Sequence, residues 1–373
     1  MNLRFFVRHI TPHEPVTKEG TSAIFLESKF RRFFRQLGNR EARWEMAELK
    51  VGAITSLRRI SPTLLLFRLM PEPGTRFTDY KPGQYIALRR EDCRLTKAVR
   101  DADGRIHYVP DLDESGNPKL GAVTHSYSIA SAPAETRENG HLEFYIVLEK
   151  TEEATQGRLS GALFRLNFPQ DNKLIYVNRI TGSFTLDQRT KGFRSVLMVG
   201  TGTGLAPFVS MIKQLHFDAC RGVMDDIQYT LLHTNRTFEE LAFHEELLAI
   251  ESAQRFNFVY VPSVSRPTAR DLADPNTGRG RANNLLRHIF DMPLKEEEYL
   301  EEARLSQADT SKARAELDKA VRPVLPRRIP RSELQKRLNP ARTVILTCGN
   351  PSLMADIRYI ADRHRIRFEK EDW

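Results

Sequence analysis

The stretch that most constrains the fold is Ser195-Val-Leu-Met-Val199. This unbroken apolar run leads directly into Gly200-Thr-Gly-Thr-Gly-Leu-Ala-Pro207 and on into the apolar segment Leu205–Leu215. A run with no polar alternation reads as a strand buried on both faces, which parallel sheets require and half-solvated antiparallel ones do not. A glycine-rich turn between such a strand and a helix lets the backbone come close to a phosphate, and the helix N-terminus favours negative charge there.

The same alternation continues downstream. Strands are predicted over Gln228–His233, Phe256–Val261 and Thr343–Thr347, with helices over Phe238–Ile250 and Pro351–His364. Strand and helix alternating at this spacing build an α/β domain on a parallel sheet, placed over residues 191–373. Residues 293–340 interrupt it with Lys295-Glu-Glu-Glu-Tyr-Leu-Glu-Glu-Ala303 and the basic, proline-punctuated Arg322–Arg331, read as a charged helical insertion between two strands.

Upstream the period shortens. Glu48–Ser56, Thr63–Leu69, Tyr85–Leu88, Ser126–Ala130, His141–Leu148 and Leu174–Val177 are short and rich in β-branched, aromatic and leucine residues, and turns rich in Gly, Pro and Asp separate them. This pattern predicts an antiparallel barrel or sandwich over residues 46–190. Glu91–Gly121 is polar and long, and reads as an insertion or lid. Residues 1–45 read as an N-terminal extension. Its run Lys29-Phe-Arg-Arg-Phe-Phe-Arg35 is either a helix packed on the body with solvated arginines or a docking surface for an acidic partner.

At 373 residues, two domains with something added are expected. No apolar stretch reaches the roughly 18 residues of a membrane span, and Arg4 and Arg8 break the N-terminus where a secretory signal would be apolar. A cytoplasmic protein is the expectation. The three cysteines, Cys93, Cys220 and Cys348, form no CxxC pair. A disulfide framework, a zinc site and a chain-borne iron–sulfur cluster are therefore disfavoured, and no metal site is expected. The net charge of +9 is concentrated at Lys29–Arg43 and Arg304–Arg342 and attracts acidic proteins, nucleic acids or anionic membranes, among which composition does not choose.

Four clusters carry chemistry. Lys81-Pro-Gly-Gln-Tyr85 accompanies His125-Ser-Tyr-Ser-Ile-Ala-Ser-Ala-Pro133, where a strand-end aromatic can stack on a flat cofactor and a hydroxyl can bond a ring nitrogen. Gly157-Arg-Leu-Ser-Gly161 offers backbone N–H groups to an anion. The Gly200–Pro207 turn departs from the GxGxxG spacing of plain dinucleotide-binding dehydrogenases. Thr347-Cys-Gly-Asn-Pro351 ends a parallel strand, the edge where open α/β sheets bind ligands. Singly, three of them have a bland alternative: a structural strand end, an N-capped helix, an inert buried cysteine.

In order and spacing, the four together resemble the plant-type and bacterial ferredoxin–NADP reductase family. The resemblance runs through His125-Ser-Tyr-Ser-Ile129, Leu142–Val147, Gly157-Arg-Leu-Ser160, Thr181-Gly-Ser-Phe184, Gly200–Pro207, Cys348-Gly-Asn-Pro351 and the terminal Trp373, and covers roughly residues 46–290 and 341–373. It implies an antiparallel β-barrel domain that binds FAD, followed by an α/β parallel-sheet domain that binds NADP. Under it, Tyr127 would stack on the isoalloxazine and Ser128 would bond near flavin N5, with His125 and Ser126 beside them. Tyr145, Val147, Gly157, Arg158, Leu159 and Ser160 would hold the ribityl and pyrophosphate groups. Thr201, Gly202, Thr203, Gly204 and Gly349 would receive the pyridine nucleotide, with Cys348 against nicotinamide C4. Glu371 matches an acidic family residue two before the terminus, and Trp373 matches the terminal aromatic that stacks on the flavin or its adenine. Ser128, Cys348, Glu371 and Trp373 are thus the implied catalytic residues.

His125 departs from the family pattern, standing where an arginine usually contacts the FAD phosphates. A neutral imidazole is the poorer anion partner, which leaves Arg158 to take over, lowers FAD affinity, or admits FMN. Arg236, Ser265 with Arg266, and Arg279 follow strands or turns at the sheet's ligand edge and resemble segments that grip the 2′-phosphate of NADP. The expected reaction is electron transfer between NADPH and an acidic protein carrier, ferredoxin or flavodoxin, by a monomer with no nucleic-acid role. The alternatives are an NADH-linked reductase feeding an oxygenase or cytochrome, and a flavin-fold binding protein without turnover.

Overall fold

The predicted strands, joined by two that were not predicted, Gly278–Arg279 and Arg367–Lys370, pair into two sheets of six strands each, one antiparallel and one parallel. The structure is a computed structural model that describes residues 48–150 and 156–371. The Lys29–Arg35 run and Trp373 lie outside the described residues.

The first sheet uses β1 (Leu49–Ser61), β2 (Leu64–Met70) and β3 (Tyr85–Arg94); then, after the two-stranded arm β4 (Thr96–Arg100) and β5 (Ile106–Pro110), it uses β6 (Leu120–Ser128), β7 (Leu142–Val147) and β8 (Lys173–Thr181). Its order is β6-β3-β8-β1-β2-β7. The sheet curls until its edges meet, where the Ala130 N–H just past β6 donates to the Glu143 carbonyl of β7 at 2.8 Å. Inside the curl, Phe67 and Phe144 stack with centroids 5.2 Å apart among Ile54, Leu88 and Tyr176. The helix Arg158–Phe164 closes one end with Leu159, Ala162 and Leu163, all buried. The β4–β5 arm comes from the stretch read as a polar insertion or lid. Both its faces are largely solvated, so no apolar alternation marked its strands.

The second sheet is parallel throughout, in the order β12 (Gly278–Arg279), β11 (Phe258–Val264), β10 (Gln228–Asn235), β9 (Ser195–Thr201), β13 (Thr343–Cys348), β14 (Arg367–Lys370). Helices cover both faces. Ala206–Cys220 and His244–Ser252 pack on one, and Ala282–Ile289, Arg331–Arg337 and Pro351–Arg363 on the other, which is why β9 and β13 read as unbroken apolar runs. From β9 the chain moves outward to β12, then returns to β13 on the opposite side of β9. The crevice beyond the C-terminal ends of β9 and β13 is therefore the topological switch point, where such sheets bind ligands.

Between β12 and β13 lie the helices Lys295–Leu305 and Ser311–Asp318, and Val324 then pairs with Arg279 through backbone bonds of 2.8 and 2.9 Å. No helix of the described residues is long and apolar enough to cross a membrane.

Candidate functional site

Three residues far apart in sequence meet where β6 ends against the switch point. Ser128 closes β6, Cys348 closes β13, and Glu371 follows β14, where its N–H continues the ladder to the Thr347 carbonyl at 3.0 Å. The Cys348 thiol donates to Glu371 Oε2 at 3.1 Å. The Ser128 hydroxyl reaches Oε1 and Oε2 at 3.4 and 3.5 Å. All three are buried. Burial, together with the Glu371 carboxylate beside it and accepting its hydrogen bond, pushes the Cys348 thiol well above its usual range. The sulfur is thus a protonated donor, not a thiolate nucleophile.

The two loops at the switch point touch backbone to backbone. A side chain on Gly204 would begin 2.3 Å from the Cys348 carbonyl oxygen, and one on Gly349 would begin 2.3 Å from Thr201 Oγ1. The Asn350 N–H also points to Thr201 Oγ1 at 3.4 Å. Glycine at 204 and 349 is what lets the ends of β9 and β13 close on each other.

A cavity of about 480 Å³ opens beside these loops, lined by Thr201, Gly202, Thr234, Asn235, Arg236, Ser265, Arg281, Asn283, Lys295, Asn350, Ser352 and Leu353. Two of its buried polar atoms, Thr234 Oγ1 and Asn283 Oδ1, have no partner among the described residues. The Asn283 amide must present its NH₂ to the Asp356 carboxylate, which Nδ2 meets at 2.8 Å, so the carbonyl oxygen is the end left over. Buried acceptors without partners are costly unless a ligand completes them. The glycine cradle and these two atoms fit a nucleotide.

The residues expected at the site separate into groups. Ser128, Cys348 and Glu371 come together, and Thr201, Gly202, Arg236 and Ser265 line the cavity, with Gly204 and Gly349 in the loop contact beside it. Tyr127 lies half-buried and Ser126 beside it, while His125 is exposed on β6. Arg236 is already engaged: its guanidinium grips Glu240 through two bonds of 2.8 and 2.7 Å and reaches the Thr63 hydroxyl of the first sheet. The Arg266 side chain is exposed and, with Arg279, stands outside the cavity lining. Tyr145 sits in the apolar layer between the two sheets, its hydroxyl donating to the Glu240 carbonyl at 3.1 Å and accepting from Asn235 at 3.0 Å. Leu159 faces the core of the curl, so it can serve a ligand only through its backbone, and the Ser160 hydroxyl accepts the Glu149 N–H. Val147 and Arg158 are exposed. His233 and His244 share the Tyr260 hydroxyl, and burial holds His233 down to about 3, a neutral structural imidazole.

Reading cations directly after strands missed Arg281 and Lys295, both lining the cavity. The available signal was topological. The segment from β12 to the helix Lys295–Leu305 leaves the sheet at its ligand edge, which brings Arg281 and Lys295 to the crevice while Arg287 between them turns to Asp356.

A curled antiparallel sheet whose strand ends against the switch point of a parallel sheet, with the nucleotide-sized cavity on the parallel side, is the architecture of two-domain flavin oxidoreductases. Comparison with known proteins agrees. Residues 198–301 match the oxidoreductase NAD-binding domain family. A flavohemoprotein of Halalkalibacterium halodurans is 26% identical over 233 residues, 61% of this chain and 46% of that protein, so the chain spans about half the length of that relative. A ferredoxin–NADP reductase of Pseudomonas aeruginosa is 24% identical over 250 residues, 65% of this chain and 76% of its own. In fold, a ferredoxin NADP+ reductase from Neisseria gonorrhoeae, solved with bound FAD and NADP, superposes with a TM-score of 0.51 at 20% identity, covering 87% of this chain and 99% of that one. The chain thus carries an oxidoreductase NAD-binding domain over residues 198–301 and is similar, over about two thirds of its length, to ferredoxin–NADP reductases.

Proposed function

We propose that the protein takes electrons from NADPH by way of FAD and delivers them to an acidic carrier protein, a ferredoxin or flavodoxin. The observation that carries this reading is the buried meeting of Ser128, Cys348 and Glu371, which puts donors from both sheets on one carboxylate beside the nucleotide cavity. When bound, FAD would supply hydride acceptance and one-electron release. Tyr127 and Ser128 would position the flavin ring, with the Gly157–Ser160 turn near its phosphates. Thr201, Gly202 and Asn350 would hold the nucleotide so that its reactive end lies against Cys348. Glu371 keeps the Ser128 hydroxyl and the Cys348 thiol fixed in orientation, and the protonated sulfur offers an uncharged surface to a ring. The net charge of +9 suits electrostatic steering of an acidic partner into a transient complex.

The test is the visible spectrum of the purified protein before and after anaerobic NADPH or NADH. A flavin spectrum bleached preferentially by NADPH is expected, and a colourless protein that takes up no FAD would overturn the reading. A second reading, an NADH-linked reductase feeding an oxygenase or cytochrome, draws on the Arg266 side chain standing outside the cavity. It requires Arg266→Ala to leave nucleotide preference unchanged, and selective weakening of NADPH would exclude it.

A further inference from the structure

The charged segment between β12 and β13 is seated on the nucleotide cavity by a chain of specific contacts. Arg287, 1% exposed, takes Asp356 through Nη2 at 2.7 Å and Nε at 3.0 Å, and donates to the Pro293 carbonyl at 3.0 Å. Its Nη1 also meets Glu298 of the helix Lys295–Leu305 at 2.8 Å. One turn back on the helix Ala282–Ile289, Asn284 donates its NH₂ to Glu296 at 2.8 Å, and its carbonyl oxygen accepts the Lys295 N–H at 3.2 Å. Glu297 caps the helix start by accepting the Leu294 N–H at 2.9 Å. The first turn of the helix is thus fixed on three consecutive residues. The side chain left unused by this docking is Lys295, and it lines the cavity.

The cavity's cations differ in what already holds them. Arg236 is spent on Glu240 and Thr63. Arg281 has Glu296 at 3.5 Å, a long contact on a largely exposed side chain. Among the described residues, no carboxylate lies within 4.0 Å of Lys295 Nζ. A half-buried ammonium without an anion, facing a cavity that also holds the orphaned Asn283 and Thr234 oxygens, is a site waiting for an anionic ligand bearing hydroxyl or amino donors. A phosphorylated nucleoside has that composition.

We propose that the β12–β13 insertion is part of the nucleotide site and that Lys295, seconded by Arg281, binds a phosphate of the dinucleotide. This rests on the reading that the cavity takes a pyridine nucleotide. The phosphate is either the one on the adenosine ribose or the bridging pyrophosphate, and the ligand series separates them. Only the backbone of Lys295 takes part in docking, so truncating its side chain leaves the insertion seated.

The experiment is calorimetric titration of wild type, Lys295→Ala, Lys295→Arg and Lys312→Ala with NADP⁺ and with NAD⁺. Lys312→Ala removes an exposed charge elsewhere in the insertion and controls for net charge. Loss of one charge-assisted contact should weaken binding about tenfold in Lys295→Ala, with Lys295→Arg retaining most affinity and Lys312→Ala unchanged. Weakening confined to NADP⁺ assigns Lys295 to the ribose phosphate and makes the insertion the determinant of cofactor choice. Equal weakening for both ligands assigns it to the pyrophosphate. Wild-type affinity of Lys295→Ala for both would overturn the inference while leaving the reductase reading intact, whereas a wild type that binds neither nucleotide would take down that reading as well.

Discussion

At the scale of single residues, the turn proposed to lie near the flavin phosphates carries an electrostatic conflict. The Gly157 turn should receive phosphates, yet Glu149 Oε2 lies 2.8 Å from where a side chain of Gly157 would begin. The Gly157 N–H is also taken, by the Glu149 carbonyl at 2.9 Å. A carboxylate at that distance repels an incoming pyrophosphate, and His125 replaces a permanent cation with an imidazole. Glu149→Gln keeps the side-chain shape and removes the charge, so it should tighten FAD binding by roughly three- to tenfold at low ionic strength, with the gain fading as salt is added. Fluorescence titration of the flavin-free protein measures this, and an unchanged dissociation constant would mean Glu149 swings clear of the turn. Glu149 shows what sequence reading leaves out. The glycine turn was legible as a pattern, but the acidic residue over it comes from the end of β7, eight positions earlier, and no local pattern links the two.

At the scale of elements, what was legible follows burial. Strands buried on both faces, β9 and β13, stood out as unbroken apolar runs, and strands lining one curled core stood out by their β-branched and aromatic residues. The β4–β5 arm did not, because nothing buries it. Likewise Ser128, Cys348 and Glu371 were joined only through a family resemblance, since their meeting depends on strand order and not on spacing. That meeting depends in turn on the contact between the glycine loops after β9 and β13. Gly204→Ala would place a methyl 2.3 Å from the Cys348 carbonyl oxygen and 2.6 Å from Gly349 Cα. Both are backbone atoms, so the loops must part by several tenths of an ångström. The strain should cost about 1–3 kcal/mol of stability. The larger effect should fall on nucleotide reduction of the flavin, with kcat/KM for NADPH down at least about tenfold and flavin content retained. Wild-type turnover in Gly204→Ala would show that the loop contact does not set the geometry.

At the scale of the whole molecule, the two sheets are joined by a buried network of charges centred on Lys213. Its ammonium meets Glu135 at 2.6 Å, Glu246 at 3.1 Å and Glu143 at 3.7 Å, while Arg68 holds Glu143 at 2.9 Å. Glu135, Glu143 and Arg68 belong to the first sheet and its connections, and Lys213 and Glu246 to helices on the second. Burial alone would raise the Glu135 carboxyl, but His141 and Lys213 outweigh it and hold the group at about 2, against an ordinary value of 4.5. A folded-state value below the unfolded one adds stability that is fully present above pH 4.5 and is lost as pH falls from there toward 2. Lys213→Met removes the cation and leaves three carboxylates facing one another, two of them buried. At pH 7 this should cost about 3–5 kcal/mol and lower the melting temperature by roughly 10 °C. As pH falls below about 4.5, protonation relieves the unpaired carboxylates in the variant while wild type loses the benefit of its own ion pairs, so the gap between the two melting curves should narrow. Thermal unfolding of both proteins from pH 7 to pH 2.5 measures this directly. A gap that stays constant across that range would mean that Lys213 acts through packing of its alkyl chain against Phe243, over whose ring its ammonium sits at 5.9 Å, and that the sheets are joined by apolar contact instead.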